Sequence, residues 1–196
     1  MRMLLIVALL GSSLIAQSKD ARDLGPAAVL VASRDLADPN FAKTVILLVH
    51  YDEESVLGLT VNRHTDVAVS RLFEGLRAAK SRADSIYLGG PVEISTVFAL
   101  LESPDKLKDI APVFGETYLI STKALLEKTV AAGADPEVFH VYVGYAGWTT
   151  AQLHKEVALG MWYIFQANTE TVFDSNPDTL WQRMIKRTEL KLALAK

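Results

Sequence analysis

Apolar positions in this chain fall mostly into short β-branched runs separated by polar loops, and helical periodicity is confined to a few stretches. Runs at 27–33 and 44–50 flank the turn signal Asp38-Pro39. The second leads through Tyr51-Asp52-Glu53-Glu54-Ser55 into a run at 56–62, which predicts an antiparallel hairpin closed by a polar loop. Further strands are predicted at 85–88, ending on Gly89-Gly90-Pro91, and at 97–101, 117–120, 138–143 and 161–165. Asp66 or Ser70 is placed to cap a short helix carrying Leu72, Phe73 and Leu76. A second helix is predicted over 122–132, with Gly133 positioned to end it. Thr149 and Gln152 have the spacing of a reciprocal cap and start a helix over 149–159 that Gly160 closes. Asn176-Pro177 supplies a cap and a first-turn proline for a last helix over 177–190. Strands joined by short loops, with few helices between them, predict an α+β fold: a largely antiparallel, barrel-like core with helices packed around it.

Residues 1–18 follow a different pattern. Arg2 precedes an apolar run over 4–16 of about 13 residues, shorter than the roughly 20 that a membrane span needs. Ala16-Gln17-Ser18 then places small residues at −3 and −1 of a cleavage site. We expect a secretory signal over 1–18, a linker over 19–26 and one domain over 27–196, with a periplasmic or secreted product and no stable membrane span after cleavage. The alternatives are an uncleaved anchor, or a cytoplasmic protein with a start codon assigned too far upstream.

Composition narrows the function more than it defines it. With 196 residues, half of them hydrophobic, the chain can bury a full core. Loss of Arg2 with the leader would leave 19 Lys+Arg against 23 Asp+Glu, a net charge of −4. An acidic chain with no basic cluster or reading helix argues against nucleic acid as a partner, which leaves an unknown small molecule or protein. Cysteine is absent, which removes disulfides, thiolate metal sites and a cysteine nucleophile.

The segment Gly144-Tyr145-Ala146-Gly147-Trp148 joins the 138–143 run to the helix start at Thr149. It reads either as a ledge, where glycines let a ligand approach the backbone beside Tyr145 and Trp148, or as a tight bend whose aromatics plug the barrel. Gln152 and Glu156 lie one helical turn apart and could complete a polar pocket, or hold a metal with His154; more simply, capping explains Gln152 and solvation explains Glu156. Gly89-Gly90-Pro91 could cradle an anion, but it lacks the Lys-Ser/Thr of a phosphate loop and reads more simply as a strand-ending turn. The His50-Tyr51-Asp52-Glu53-Glu54 cluster has hard oxygen donors without a calcium-loop spacing, so no metal and no cofactor are expected. No Gly-x-Ser-x-Gly elbow is present, so no catalytic residue is assigned.

Five motifs in order, Asp38-Pro39-Asn40-Phe41, Gly58-Leu59-Thr60-Val61-Asn62-Arg63, Gly89-Gly90-Pro91-Val92, Gly144-Tyr145-Ala146-Gly147-Trp148 and Gln152-Leu153 with Glu156, resemble the YqgE/AlgH family of bacterial proteins. The resemblance runs from about Leu30 to Trp181. It implies a compact domain with a β-barrel-like core, and a name linked to regulation of alginate production and transcription, without a reaction or cofactor. Departures from the family pattern fall at Arg34 (proline expected), Tyr51 (histidine), Ser55 (glycine), His64 (proline), Leu101 (histidine), Ala151 (glycine) and His154 (an acidic residue). Candidate ligand-binding residues are Asn62, Gly89, Gly90, Tyr145, Trp148, Gln152 and Glu156. The leading expectation is a non-catalytic binding or regulatory domain; a hydrolase-like enzyme using Asn62 and Glu156 is the alternative, and a transcriptional regulator follows from the family name alone.

Overall fold

A computed structural model describes residues 17–18 and 23–194. The expected leader lies outside the described residues apart from Gln17–Ser18. The elements are β1 (Gln17–Ser18), β2 (Ala28–Ala32), β3 (Val45–Tyr51), β4 (Ser55–Thr60), β5 (His64–Ala68), β6 (Ser85–Leu88), β7 (Val92–Glu102), β8 (Pro112–Phe114), β9 (Thr117–Ile120), α1 (Lys123–Ala131), β10 (Phe139–Thr149), α2 (Thr150–Ala158), β11 (Trp162–Gln166), α3 (Thr169–Val172) and α4 (Pro177–Leu194). The strands form one curled, mainly antiparallel sheet in the order β1-β11-β2-β3-β4-β10-β7-β9-β8, with β5 on β6 and β6 on β10. The expected α+β architecture with a largely antiparallel, barrel-like core is therefore present, the sheet curling into a half-barrel.

The β3–β4 hairpin forms as predicted, with a turn held by Asp52, whose Oδ1 accepts the backbone N–H groups of Glu54 (2.9 Å) and Ser55 (2.8 Å). Those bonds, led by Ser55, and the neighbouring His50 pull the Asp52 carboxyl down to about 2. Helices α1, α2 and α4 also fall where the pattern places them, and Gly133 (φ +75°) and Gly160 (φ +74°) take the left-handed conformation that ends a helix.

Two expectations are corrected. No helix is capped by Asp66 or Ser70: His64–Ala68 is strand β5, paired with β6 through His64↔Tyr87 and Ala68↔Ser85, and short 3₁₀ turns follow at Val69–Arg71 and Arg77–Ser81. Sheet pairing there outcompetes a weak local helix signal. Nor is Gly144–Trp148 a bend between strand and helix, because β10 continues through it to Thr149.

Strand β10 is the axis of the fold. Its first half alternates, with Tyr142 in the larger core cluster and His140 against that cluster's Tyr87 and Phe173, while Phe139 and Val141 join the smaller one around Ile86, Ile120 and Leu126. Phe139 to Val143 pair with β7 while Tyr142 and Val143 run parallel to β6. Beyond a register shift at Gly144, residues Ala146 to Thr149 pair with β4. Since β6 and β7 lie on opposite sides of β10, the link Gly89-Gly90-Pro91 crosses directly over its backbone. A Cβ on Gly90 would strike the Tyr145 carbonyl and Ala146 nitrogen, and one on Gly89 the Gly144 carbonyl oxygen. The glycine pair 89–90 and the single Gly144 are the two faces of this crossing, which the Gly89 N–H locks by donating to Val143 O (2.9 Å).

Candidate functional site

The loop between β2 and β3 is built from its own polar residues. Asp38 Oδ1 accepts the Asn40 N–H (2.8 Å), and Asp38 O accepts those of Phe41 (2.9 Å) and Ala42 (2.7 Å). Arg63 donates to the carbonyls of Asn40 (2.6 Å), Ala42 (3.0 Å) and Pro39 (3.2 Å). Buried Asn62 completes the clamp: its Oδ1 accepts the Val45 N–H (2.7 Å) and its Nδ2 donates to Lys43 O (3.0 Å). The side chain that sequence reading placed in a binding groove is thus occupied by main chain.

This clamp presents Phe41 to two indoles. Phe41 stacks on Trp148 (ring centroids 5.6 Å, interplanar 28°) and meets Trp162 edge-on at 6.0 Å, while the indoles contact each other at 87° and 6.1 Å. Each buried indole carries one N–H donor that needs an acceptor. Both find the same one: Glu156 Oε2 accepts from Trp148 Nε1 (3.0 Å) and Trp162 Nε1 (2.9 Å), and Gln152 Nε2 donates to Glu156 Oε1 (2.9 Å). Helix α2 makes this possible by placing Gln152 and Glu156 on one face. Its cap is half of the expected pair, because Thr149 Oγ1 accepts the Gln152 N–H (3.1 Å) while the Gln152 side chain turns to Glu156.

Two clefts open beside this network. One, of about 530 Å³, is lined by Asp35, Leu36, Phe41, Gln152, Glu156 and Trp162 among others. The second, of about 460 Å³, includes His50, Leu57, Tyr145, Trp148 and Gln152. Gln152 borders both. Of the seven candidate residues, Tyr145, Trp148, Gln152 and Glu156 are therefore gathered around one aromatic centre, whereas Asn62, Gly89 and Gly90 line neither cleft. Trp148 shows only its rim, being 5% exposed. Sequence reading missed Phe41 as the stacking partner and Trp162 as the second donor; Trp162 sits just beyond the helix-ending Gly160, six residues from Glu156, and that spacing was the available signal.

Two departures from the family pattern meet nearby, where Tyr51 Oη and His154 Nε2 are 2.7 Å apart across the β3–α2 boundary. Partial burial raises the Tyr51 phenol above its ordinary value. His154 is therefore engaged by Tyr51 rather than by Glu156, and no cluster of three metal-ligating side chains occurs among the described residues.

The sequence pattern of the AlgH-like family, DUF179, matches residues 29–193. The chain belongs to the AlgH-like family. A UPF0301 protein of Streptomyces avermitilis is 33% identical over 175 residues, covering 85% of this chain and 88% of that one. Another, from Thiobacillus denitrificans, is 34% identical over 152 residues, covering 76% and 82%. The solution structure of the AlgH protein from Pseudomonas aeruginosa superposes with a TM-score of 0.68 at 29% identity, covering 87% of this AlgH-like chain and 93% of that one. A Corynebacterium diphtheriae protein, DIP2367, shares the fold at 22% identity, with a TM-score of 0.67 and coverage of 84% and 87%.

Proposed function

We propose that this AlgH-like chain is a non-catalytic binding domain whose ligand, a flat and mostly apolar small molecule or protein side chain, seats in the cleft between Leu36, Phe41 and Trp162. The observation that carries this reading is the Glu156 carboxylate tying two indoles and Gln152 into one rigid wall. The two indoles are buried (Trp148 5%, Trp162 0% exposed) and act as rigid backing for half-buried Phe41, whose ring offers contact area at little entropic cost, and the few polar groups beside it fix orientation. The same bonds weigh against Glu156 as a hydrolytic base, since three donors already occupy it. Any regulatory role would then follow from occupancy of the cleft, not from reading DNA, which the acidic composition disfavours.

A library of indole, phenyl and cyclic aliphatic fragments, read by ¹⁵N–¹H chemical shifts, tests the proposal. Binding fragments should move the indole N–H resonances of Trp148 and Trp162, and Phe41→Ala should weaken them by about tenfold, roughly 1.4 kcal/mol. Fragments that leave both indoles unmoved, or bind Phe41→Ala as well as the parent, would remove the cleft from consideration.

We also propose export, on the pattern of residues 1–18. A C-terminally tagged chain is expected in the periplasmic or secreted fraction, with its N-terminus at Lys19 and therefore without the two-residue strand β1. A full-length cytoplasmic product would overturn that reading.

A further inference from the structure

The cleft beside Phe41 and Trp162 combines apolar surface with charge of one sign. Leu36, Phe41 and Met161 supply apolar surface, and Leu159, just past the end of α2, adds a side chain that is 63% exposed. Such exposure is ordinary for an isolated leucine, but Leu159 shares a cleft with other apolar side chains, as on a surface that a ligand covers. The ionisable side chains lining the cleft are Asp35, Asp38 and Glu156, and no lysine, arginine or histidine joins them among the described residues.

The fold leaves these carboxylates with acceptor capacity and without a cation in contact. Glu156 takes three N–H donors, all from neutral side chains, which stabilise its charge without cancelling it. Two of them fall on Oε2 and one on Oε1, so of the roughly four acceptor positions of a carboxylate one remains, on Oε1. Asp38 uses Oδ1 for the Asn40 N–H (2.8 Å) and keeps Oδ2. Exposed Asp35 has no hydrogen bond or ion pair in the described fold. Arg63 attracts Asp38 from a distance, but its guanidinium donates to the carbonyls of Pro39, Asn40 and Ala42 and does not line the cleft. The Arg34 guanidinium lies over Trp181, beside a different cleft. The carboxylates do not converge on a point, because no three metal-ligating side chains among the described residues could share an ion. Charge spread over a planar organic group suits them better than a metal, and an open carboxylate matches the two-pronged fork of such a group.

Resting on the aromatic-cleft reading above, we propose that the ligand is a planar organic cation, a guanidinium or amidinium group on an apolar body. The apolar part packs on Leu36, Phe41 and Leu159, and Asp35, with Asp38 and Glu156 Oε1, offsets the positive group. An aromatic ring beside these carboxylates adds to the selection, since its face attracts a cation. A volume of about 530 Å³ accommodates a ligand of this size.

Titration of the full chain with benzamidinium, benzamide and benzoate, flat probes of similar size that differ in charge, tests the assignment by calorimetry and by the indole N–H resonances of Trp148 and Trp162. Benzamidinium is expected to bind about tenfold or more tighter than benzamide, with benzoate weakest. Its affinity should fall about threefold or more between roughly 50 and 300 mM NaCl as ion pairing is screened, while that of benzamide holds. Asp35→Asn/Asp38→Asn, which keeps an acceptor for the Asn40 N–H, should cut the preference for benzamidinium over benzamide to about threefold or less. Asp66→Asn/Glu137→Gln, outside the cleft, should leave that preference intact. Should the first pair fold poorly, Asp35→Asn alone makes the comparison, because that side chain holds nothing in place. N-acetylarginine methylamide separates two sources of the cation: affinity equal to benzamidinium's points to an arginine of a partner protein, and affinity about tenfold weaker to a free small molecule. Benzamide binding as tightly as benzamidinium, or a charge preference unchanged in the Asp35 variants, would overturn the cationic ligand and leave the aromatic cleft standing. Indoles unmoved by all three flat probes would remove both.

Discussion

Gly90→Ala is expected to leave the chain unfolded, or to destabilise it by more than about 4 kcal/mol, the range reserved for changes the fold cannot absorb. The added methyl group would lie far inside van der Waals contact of the Tyr145 carbonyl carbon and the Ala146 nitrogen. Side chains can rotate away from an intruding atom, but here the obstruction is the main chain of β10 at the point where it leaves β6 for β4. Moving it would break pairing on both sides of the sheet. Gly75 is the internal control, since a Cβ there meets nothing within 4 Å and its backbone is not left-handed. Gly75→Ala should be neutral or slightly stabilising, by roughly 0.4–1 kcal/mol. Urea titration of both variants by circular dichroism separates the cases; a Gly90→Ala midpoint equal to the parent's would refute the backbone crossing.

Acidification is expected to cost this protein roughly 2–3 kcal/mol between pH 7 and 4.5 through one residue, His140, before most carboxylates titrate. His140 lies on β10 with 9% exposure, stacked on Tyr87 (centroids 4.6 Å, 18°) and edge-on to Phe173 (5.1 Å). Burial, opposed weakly by Asp84, depresses its imidazole from 6.5 to about 4. The folded chain therefore holds the neutral ring at pH values where the unfolded chain already binds a proton. Stability from this source is complete above pH 6.5 and declines as the pH falls towards 4, at up to about 1.4 kcal/mol per unit. His140→Phe should flatten the decline, because a phenyl ring retains the stacking and has no proton to bind. Equal acid sensitivity in the two proteins, measured by urea midpoints at pH 7, 5.5 and 4.5, would assign the effect elsewhere.

The parts of the fold legible in the sequence are those set by local chemistry. The Asp52 hairpin, the Thr149 cap and the glycine ends of α1 and α2 depend on residues within a few positions of each other; the hairpin and the glycine ends form as expected, and the cap forms in its Thr149 half. Residues 64–76 failed for the complementary reason: their conformation is decided by pairing with β6, some twenty positions away, which no local pattern announces. The candidate site divides in the same way. Gln152 and Glu156 were recognisable as neighbours because a helix sets their spacing. Phe41, Trp148 and Trp162 converge through the sheet, and nothing in the intervening sequence indicates that one carboxylate serves both indoles. The glycines drew attention as possible contacts for a ligand, and they are instead where two strands of the same chain touch.

Strand β10 also sets a schedule for the folding chain. Strands β4, β6 and β7, all made earlier, share β10 as their common neighbour, and β2 waits longer still for β11. A nascent chain that has not yet emerged past Thr149 therefore carries several strands with unpaired edges and no centre on which to assemble. Pairings this distant in sequence are slow to form, and exposed edges meanwhile invite association with other chains. The segment from Phe139 to Thr149 governs when the strands before it become a structure, so truncations that remove β10 should yield aggregates where a modular chain would yield a smaller folded fragment.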